Sequence, residues 1–417
     1  MAGSGEVYKA DDGTWGFRVR SSSGEIVATE GGAGHPAKDT ARDTLQRLLR
    51  GDFDGPINEA PTLVCGQEIT QDTTLEGDIV CGDGPALIVA ADNVTLDLGG
   101  YTVSRDPGST GDGGPAILVR QVRGATVQKG TISGFGAGVA VVGGGGNVVQ
   151  NVTVQDNVGV VGGDFGDGIT IDGSSENRIQ GNTVLRNGPF SGISLIGECQ
   201  RNTIIENIVA DNNMAHVGDP SAGRQDMGIR VEGPAANNNT IMGNTVTKSG
   251  ADGIVVLPTC APTGTESECA GSPPNDGNEI VDNTSNSNGT SGQGSGIRLF
   301  TVANPVAATH TTISGNVAND NVTHGIAIDA AGNANPGPTE NRVVGNRATG
   351  NGAYDGFDGN VRCGSNTWEG NDFGEVNHSC VSGPATPPTP PAPPAPPVPP
   401  PPPAPPSPTP PAPPMAS

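Results

Sequence analysis

The chain has 417 residues, 66 of them glycine, only 3% aromatic, and a net charge of −23 at neutral pH. So few bulky side chains exclude an ordinary compact core and favour a turn-rich solenoid with narrow interior ladders. The acid excess speaks against nucleic acid and anionic membranes, and fits neutral or cationic ligands or a divalent cation, with Ca2+ the candidate cofactor.

Residues 1–52 predict a small β-β-β-α domain. Glu6-Val7-Tyr8-Lys9 and Trp15-Gly16-Phe17-Arg18-Val19-Arg20 alternate cleanly, and Ala10-Asp11-Asp12-Gly13 between them is a hairpin signal. Glu25-Ile26-Val27-Ala28-Thr29 reads as a third strand. Ala41, Leu45 and Leu48-Leu49 then share one face of a helix from Lys38 to Arg50. Tyr8 and Trp15 are expected in the core or in a dimer contact. This order resembles a small uncharacterised bacterial family, often found in tandem, whose strands carry a Tyr-Lys, Phe-Arg-Val, Gly-Glu-Ile-Val-Ala pattern. The resemblance implies a β-β-β-α fold and no chemistry. A homo-oligomer through this domain is expected. Residues 53–60 are a linker. The first 56 residues carry a net charge of only −2, so nearly all of the acidity lies beyond them.

Residues 61–382 repeat one unit, clearest in Gly166 to Gly192. Gly168-Ile169-Thr170-Ile171-Asp172 and Asn177-Arg178-Ile179-Gln180-Gly181-Asn182-Thr183-Val184 are two strand-like runs separated by turn residues. An apolar residue followed three positions later by Asn recurs at Val148/Asn151, Ile179/Asn182, Ile204/Asn207, Ile241/Asn244, Ile280/Asn283, Ile313/Asn316, Val343/Asn346 and Trp368/Asn371. Between these marks runs a Gly-apolar signature: Gly138-Val139, Gly168-Ile169, Gly192-Ile193, Gly228-Ile229, Gly253-Ile254, Gly296-Ile297, Gly325-Ile326 and Gly356-Phe357. A fixed motif at spacings of 25 to 39 residues means one supersecondary unit per repeat with loops of different length. The expected fold is all-β, a right-handed parallel β-helix of two or three strands per coil. At about 4.8 Å per coil, roughly ten coils make a rod about 50 Å long. The recurrent Asn is expected as an internal hydrogen-bonded ladder.

The opening from Cys65-Gly66-Gln67-Glu68-Ile69 through Asn93-Val94-Thr95-Leu96-Asp97-Leu98-Gly99-Gly100-Tyr101-Thr102-Val103, and the closing Asn366-Thr367-Trp368-Glu369-Gly370-Asn371-Asp372-Phe373-Gly374, resemble NosD-like, pectate-lyase-type right-handed β-helix proteins. The resemblance covers about Pro61 to Ser382. It implies the fold, in a superfamily of polysaccharide lyases, hydrolases, epimerases, binding proteins and phage or surface fibres.

Seven cysteines are present. Cys65/Cys81 and Cys363/Cys380 are expected to staple the first and last coils, and Cys260/Cys269 to close a long loop, each adding roughly 3 kcal/mol. Cys199 is left over. Disulfides imply an oxidising compartment, hence an extracellular or surface location, although the start shows no secretory signal. No run is long and apolar enough to span a bilayer. Residues 383–417, nearly all Pro, Ala, Thr and Ser, read as a polyproline II tail, a spacer or stalk about 100 Å long.

Function is sought where loops lengthen, at Asn151–Gly168 and Asn207–Gly228. Stacking aligns Thr170, Ser194, Arg230, Val255, Arg298 and Ala327 in one outward, solvent-facing column. Asp172, Ile196, Glu232, Leu257, Phe300 and Asp329 form the next, and Asp167, Ser191, Met227, Asp252, Ser295, His324 and Asp355 precede the glycines. The expected catalytic set is Asp167, His216, Asp226 and Arg230, with Asp164, Arg224, Glu232 and Arg298 binding substrate and Asp219 nearby. A lyase needs a base beside a cation that holds the substrate carboxylate. An inverting hydrolase needs two carboxyls about 6.5–9.5 Å apart, for which Asp167 and Asp226 are the candidates. Against this stands the ordinary role of Asp in turns. The expected function is a polysaccharide-associated protein that binds, and as a lyase or hydrolase cleaves, a glycan along its lateral face. The competing expectation is a non-catalytic structural or adhesive fibre.

Overall fold

The computed structural model describes residues 4–9, 14–20, 26–29, 35–50, 63–111, 113–160, 165–213, 226–258, 273–301, 307–330 and 337–382. The chain divides into two compact units, 1–62 and 63–417.

In the first unit β1 (Ser4–Lys9) pairs antiparallel with β2 (Trp15–Arg20), which pairs antiparallel with β3 (Ile26–Thr29), and helix α1 (Lys38–Arg50) follows. Asp39 in the first turn of α1 and Arg47 and Arg50 in the last complement the helix dipole. Phe17, Ala41 and Leu45 form the buried core. Trp15 and Tyr8 are not in it. Lys38 and Lys9 stand over the half-buried Trp15 ring at 5.2 and 6.0 Å, and Arg18 over Tyr8 at 4.1 Å. Leu48 and Leu49 are exposed rather than buried with Leu45, because the core-facing stripe of α1 is only one residue wide per turn.

The second unit is a right-handed parallel β-helix of three strand columns. The first column is an 11-stranded sheet from Gln67–Ile69 to Tyr354–Asp358, each strand hydrogen-bonded to its counterpart one coil away. The run Asn177–Val184 is two strands, Arg178–Gln180 and Thr183–Leu185, broken at Gly181-Asn182. These belong to the second and third columns, which climb in parallel through Thr203–Ile205 and Ile208–Ala210, Thr240–Met242 and Thr245–Thr247, and onward.

Inward side chains pile into like-on-like ladders. Ile169, Ile193, Ile229, Ile254, Ile297 and Ile326 fill the first column, and Ile179, Ile204, Ile241, Ile280 and Ile313 the second, all essentially without solvent contact. Each such Ile contributes about 1.5–3 kcal/mol by burial. The third column tapers from Val184, Val209 and Val246 to Ser285 and Ala348; the Ser285 hydroxyl donates to Gly296 O at 2.6 Å. The recurrent Gly is steric. A Cβ on Gly192 would lie 2.6 Å from Val209 of the third column and 2.8 Å from Gly228 O of the next coil. Any side chain there would push the first column off the other two.

The Asn ladder exists and is tripled. Asn182, Asn207, Asn244, Asn283, Asn316, Asn346 and Asn371 stand in single file between the second and third columns. Each of the first six donates its backbone N–H and amide Nδ2 to the Oδ1 of the next at 2.8–3.0 Å. A parallel file runs through Asn147, Asn177, Asn202, Asn239 and Asn278 before the second column, and another through Asn157, Asn187 and Asn212 after the third. The amides satisfy backbone groups that a sharp corner would otherwise leave buried and unpaired. Asn151 is not a rung: Val152 occupies that place, and its N–H binds Asn182 Oδ1. Asn151 fills the position before the rung instead. Here φ is positive (54°), as it is at Gly181, Glu206 and Gly243, and Asn tolerates that region.

Both ends are sealed. Cys65–Cys81 and Cys363–Cys380 are disulfides, with Cα atoms 5.6 and 6.2 Å apart. Cys199 is a free, buried thiol that burial pushes up to about 11. At the last coils two carboxylates terminate amide files. Asp355 accepts from Asn351 Nδ2 at 2.7 Å, and Asp358 accepts from Asn366 Nδ2 at 3.2 Å and Trp368 Nε1 at 2.9 Å. Gly356 pairs with Ile326, so Tyr354, not Asp355, continues the column of His324. Asp355 therefore does not belong with Asp167 and Asp252. Cys260, Cys269 and the Pro-rich tail lie outside the described residues. Among the described residues, no helix is long and apolar enough to cross a membrane.

Candidate functional site on the first sheet

The outward side of the first sheet carries the expected columns in register: Thr170 with Ser194, Ser194 with Arg230, Arg230 with Val255, Val255 with Arg298 and Arg298 with Ala327. Outward is not solvent-facing here. Ser194, Arg230, Val255 and Ala327 are all buried, because strands one coil apart stand only about 4.8 Å from each other and side chains of neighbouring coils cover one another. Two charged clusters stand on this face, separated by an apolar step of Met227, Ala251, Val255 and Leu257 with Phe300 against it.

The first cluster joins three of the predicted residues. Arg230 Nη1 lies 3.0 Å from Glu232 Oε2, and its Nη2 lies 3.9 Å from Asp167 Oδ1; the Phe190 ring is 5.8 Å from the guanidinium. The Thr170 hydroxyl donates to Asp167 Oδ2 at 3.2 Å. Burial pushes the Asp167 carboxyl above its ordinary range, against the pull of Arg230 and of hydrogen bonds from Ser194, Thr170 and the Ser191 backbone. The Arg230 and Asp167 side chains are each only 6% exposed. Asp226 is not on their columns. It sits at the corner before Met227, its carboxylate in the room that Gly250 leaves, so the Asp167/Asp226 pair is not two carboxyls of one column. Asp164, His216, Asp219 and Arg224 lie outside the described residues.

The second cluster takes the remaining predicted residue, Arg298, into different company. Its Nη2 donates to Asp329 Oδ2 at 2.7 Å and its Nη1 faces Asp252 Oδ2 at 3.5 Å. Asp252 also accepts the Ser295 backbone N–H at 2.7 Å, so it ties the coils together as well as holding the arginine. The guanidinium lies 3.6 Å over the Phe300 ring. Beside it the rings of His324 and Phe357 stack 4.4 Å apart, and Tyr354 extends the stack at 5.8 Å from His324. Burial lifts the Asp252 carboxyl, opposed by Arg298, and burial drops His324 to about 4, so this imidazole is neutral at pH 7.

The clusters differ in exposure. The second is open, with Arg298 23%, Asp329 28% and Tyr354 36% exposed. Both carry buried polar atoms without a hydrogen-bond partner among the described residues, Asp167 Oδ1 and Arg230 Nε in the first and Arg298 Nε and His324 Nδ1 in the second. What the second offers a ligand is a partly exposed guanidinium and carboxylate beside the exposed Tyr354 ring. Asp252, His324, Phe300 and Asp329 stand in the predicted columns but outside the expected catalytic and binding sets. Tyr354 and Phe357 are hidden in the sequence by the displaced glycine at Gly356.

The described residues do not fit a Ca2+ site. None of them forms a group of three or more His, Cys, Asp or Glu able to hold a metal ion, and Asp252 and Asp329 are engaged with Arg298. His310, bridged to Asp276 at 2.6 Å and Glu340 at 2.8 Å, lies at an exposed corner away from this face.

A family model described as a right-handed β-helix region matches residues 88–263. That model covers the β-helix as a class, and the NosD-type part of the expected resemblance has no counterpart in it. Among solved structures, pectate lyase Pel9A is 14% identical with a TM-score of 0.49, over 78% of this chain and 82% of that one. The periplasmic alginate epimerase AlgG is 14% identical at 0.47, over 70% of this chain and 61% of its own length. An endo-xylogalacturonan hydrolase from Aspergillus tubingensis is 13% identical at 0.46, over 75% and 87%. The curated proteins contain no match.

Proposed function

We propose that this protein is a glycan-binding β-helix that takes a polysaccharide on the outward side of its first sheet, at the Arg298 cluster. The observation that carries the reading is the partly exposed Asp252–Arg298–Asp329 network bordered by the Tyr354, His324, Phe357 and Phe300 rings. Sugars present hydroxyls at their edges and C–H groups on their faces. Fixed carboxylates and a guanidinium suit the first, aromatic faces the second. The two disulfides fit an oxidising setting, and we infer an extracellular or surface location.

Cleavage would need a proton-handling group at the sugar. Asp252, with its carboxyl lifted by burial and its neighbour Arg298 partly exposed, is the residue placed for it. Asp167 is the alternative; its side chain and that of Asp252 are each 6% exposed, but Arg230 is as buried as Asp167 whereas Arg298 is 23% exposed. The test is a panel of soluble polysaccharides. Binding is read by retardation in glycan-containing gels, and turnover by new reducing or unsaturated ends, for wild type, Arg298→Lys and Asp252→Asn. Lysine cannot bridge two carboxylates as the guanidinium fork does, so Arg298→Lys weakens binding at least tenfold. Turnover abolished by Asp252→Asn makes the protein an enzyme. Binding without turnover leaves it a binding module, and no binding to any glycan would leave the fibre reading.

A further inference from the structure

Resting on the lateral-face reading, we infer that the glycan this face accepts is uncharged along its backbone, and that polyuronates are rejected. Holding a substrate carboxylate requires an available cation. Among the described residues the outward side of the first sheet holds three arginines, and each is already engaged. Arg120 pairs with Glu68 at 3.2 Å. Arg230 pairs with Glu232 and Asp167, and Arg298 with Asp329 and Asp252. Each of the two central guanidiniums is therefore flanked by two carboxyl groups, so neither is a free cation. His324 adds no positive charge at neutral pH.

A uronate entering the second cluster would have to displace Asp329 or Asp252 from Arg298. The displaced carboxylate would then stand beside the incoming one in a partly desolvated site. Like charges at such range repel strongly, and a carboxylate stripped of its partner keeps its full desolvation cost. A hydroxyl meets neither obstacle. It can donate to Asp329 or Asp252, both acceptors with lone pairs to spare, without breaking an ion pair. The wider field points the same way, since the chain carries net charge −23.

The test uses a pair that differs in charge at every sugar, polygalacturonate and its fully methyl-esterified form, together with an uncharged xylan that carries no ester methyl. Affinities for the full chain are measured by calorimetry at low and moderate salt. The expected result is that esterification strengthens binding roughly tenfold or more, and that Asp329→Asn narrows the gap by admitting the acid form. A repelled polyanion also gains affinity as salt rises. Acid-form binding equal to or tighter than the ester, weakening with salt, overturns the inference while leaving the glycan face standing. Asp252→Asn, which keeps the shape of the site, provides a second variant should Asp329→Asn disturb the strand. Failure of the ester, the acid and xylan alike to bind overturns the lateral-face reading, and this inference with it.

Discussion

The corners and the first sheet of this rod solve the same problem with opposite chemistry. At the corners the chain turns sharply and buries polar backbone, and neutral amides repeat coil after coil, each rung pairing with the next. Asn207 alone donates to Asn244, Ile179 and Ile205 and accepts twice from Asn182. On the outward side of the first sheet, charges are buried in isolated clusters and stay incompletely paired. Asp167 Oδ1, Arg230 Nε and Arg298 Nε have no hydrogen-bond partner among the described residues. The difference teaches where to look. A repeating interaction that closes on itself is scaffold, whereas a non-repeating one left open is where a ligand or a second structural state can act.

Substitutions can break this contrast, and the corner should suffer most. Asn207→Ala takes the partner of the Asn182 N–H and one bond from the Ile179 carbonyl in a dry corner, while the Asn182 amide keeps its bond to Val149 O. At roughly 1–3 kcal/mol per orphaned group, the loss is about 4 kcal/mol, measured as a lower urea midpoint with unchanged slope. Replacing its partner as well should not help, since the orphans are backbone groups. The charged face behaves differently. Arg230→Met leaves Asp167 buried without its cation and costs about 3 kcal/mol. Adding Asp167→Asn should recover most of that, because the second charge leaves with the first. Equal losses in the single and double variants would show the cluster to be scaffold of the same kind as the ladders.

The ladders are also the more legible part of the sequence. Ile179/Asn182 and its repeats announce one file, and the five-residue steps Asn177, Asn182, Asn187 and Asn202, Asn207, Asn212 hold all three. The other two files are harder to see because Thr311 and Ser249 interrupt them as rungs. Asn151 and Gly356 each fall one residue out of register. A motif match reads residue type, whereas the backbone decides which position takes a positive φ or faces inward. The columns of the face are legible from the period of two, and Asp167, Arg230 and Glu232 do come together. Their burial is not legible, nor is the gathering of Arg298 with Asp252 and Asp329 from neighbouring coils. Such meetings depend on which coils stack consecutively and on how far each side chain reaches.

Acidity sharpens the comparison, because amide files do not titrate and the clusters do. His324, held near 4 in the folded chain against about 6.5 when unfolded, resists protonation in the fold. The unfolded state thus binds more protons between those values, and stability falls as pH drops from 6.5 toward 4. Asp252 and Asp167 act in the opposite sense. Their raised carboxyls make the folded state the better proton binder, so they cost stability as pH rises above about 4. Replacing the imidazole with a ring that cannot titrate separates the two. His324→Phe should remove about 2 kcal/mol of the acid-side loss and leave the aspartate contribution in view, read from urea midpoints between pH 4 and 7. An unchanged profile would place the acid sensitivity elsewhere.

The smallest effect is the one that bears most directly on binding. Two tyrosines are similarly exposed on opposite kinds of surface: Tyr101, 39% exposed at a corner, and Tyr354, 36% exposed at the edge of the first-sheet stack. Tyr354 has its ring supported by His324 and Phe357, which fix its face as a platform. Removing that platform should cost the contact of one sugar ring, about 1.4 kcal/mol or tenfold in affinity. Neither ring is deeply buried, so Tyr354→Ala and Tyr101→Ala should each leave the melting temperature within about 3 °C of wild type. Only Tyr354→Ala should weaken retardation by a glycan-bearing gel. Equal weakening by both would mean that the polymer wraps the rod without preference, and the first sheet would then lose its claim to be the binding face.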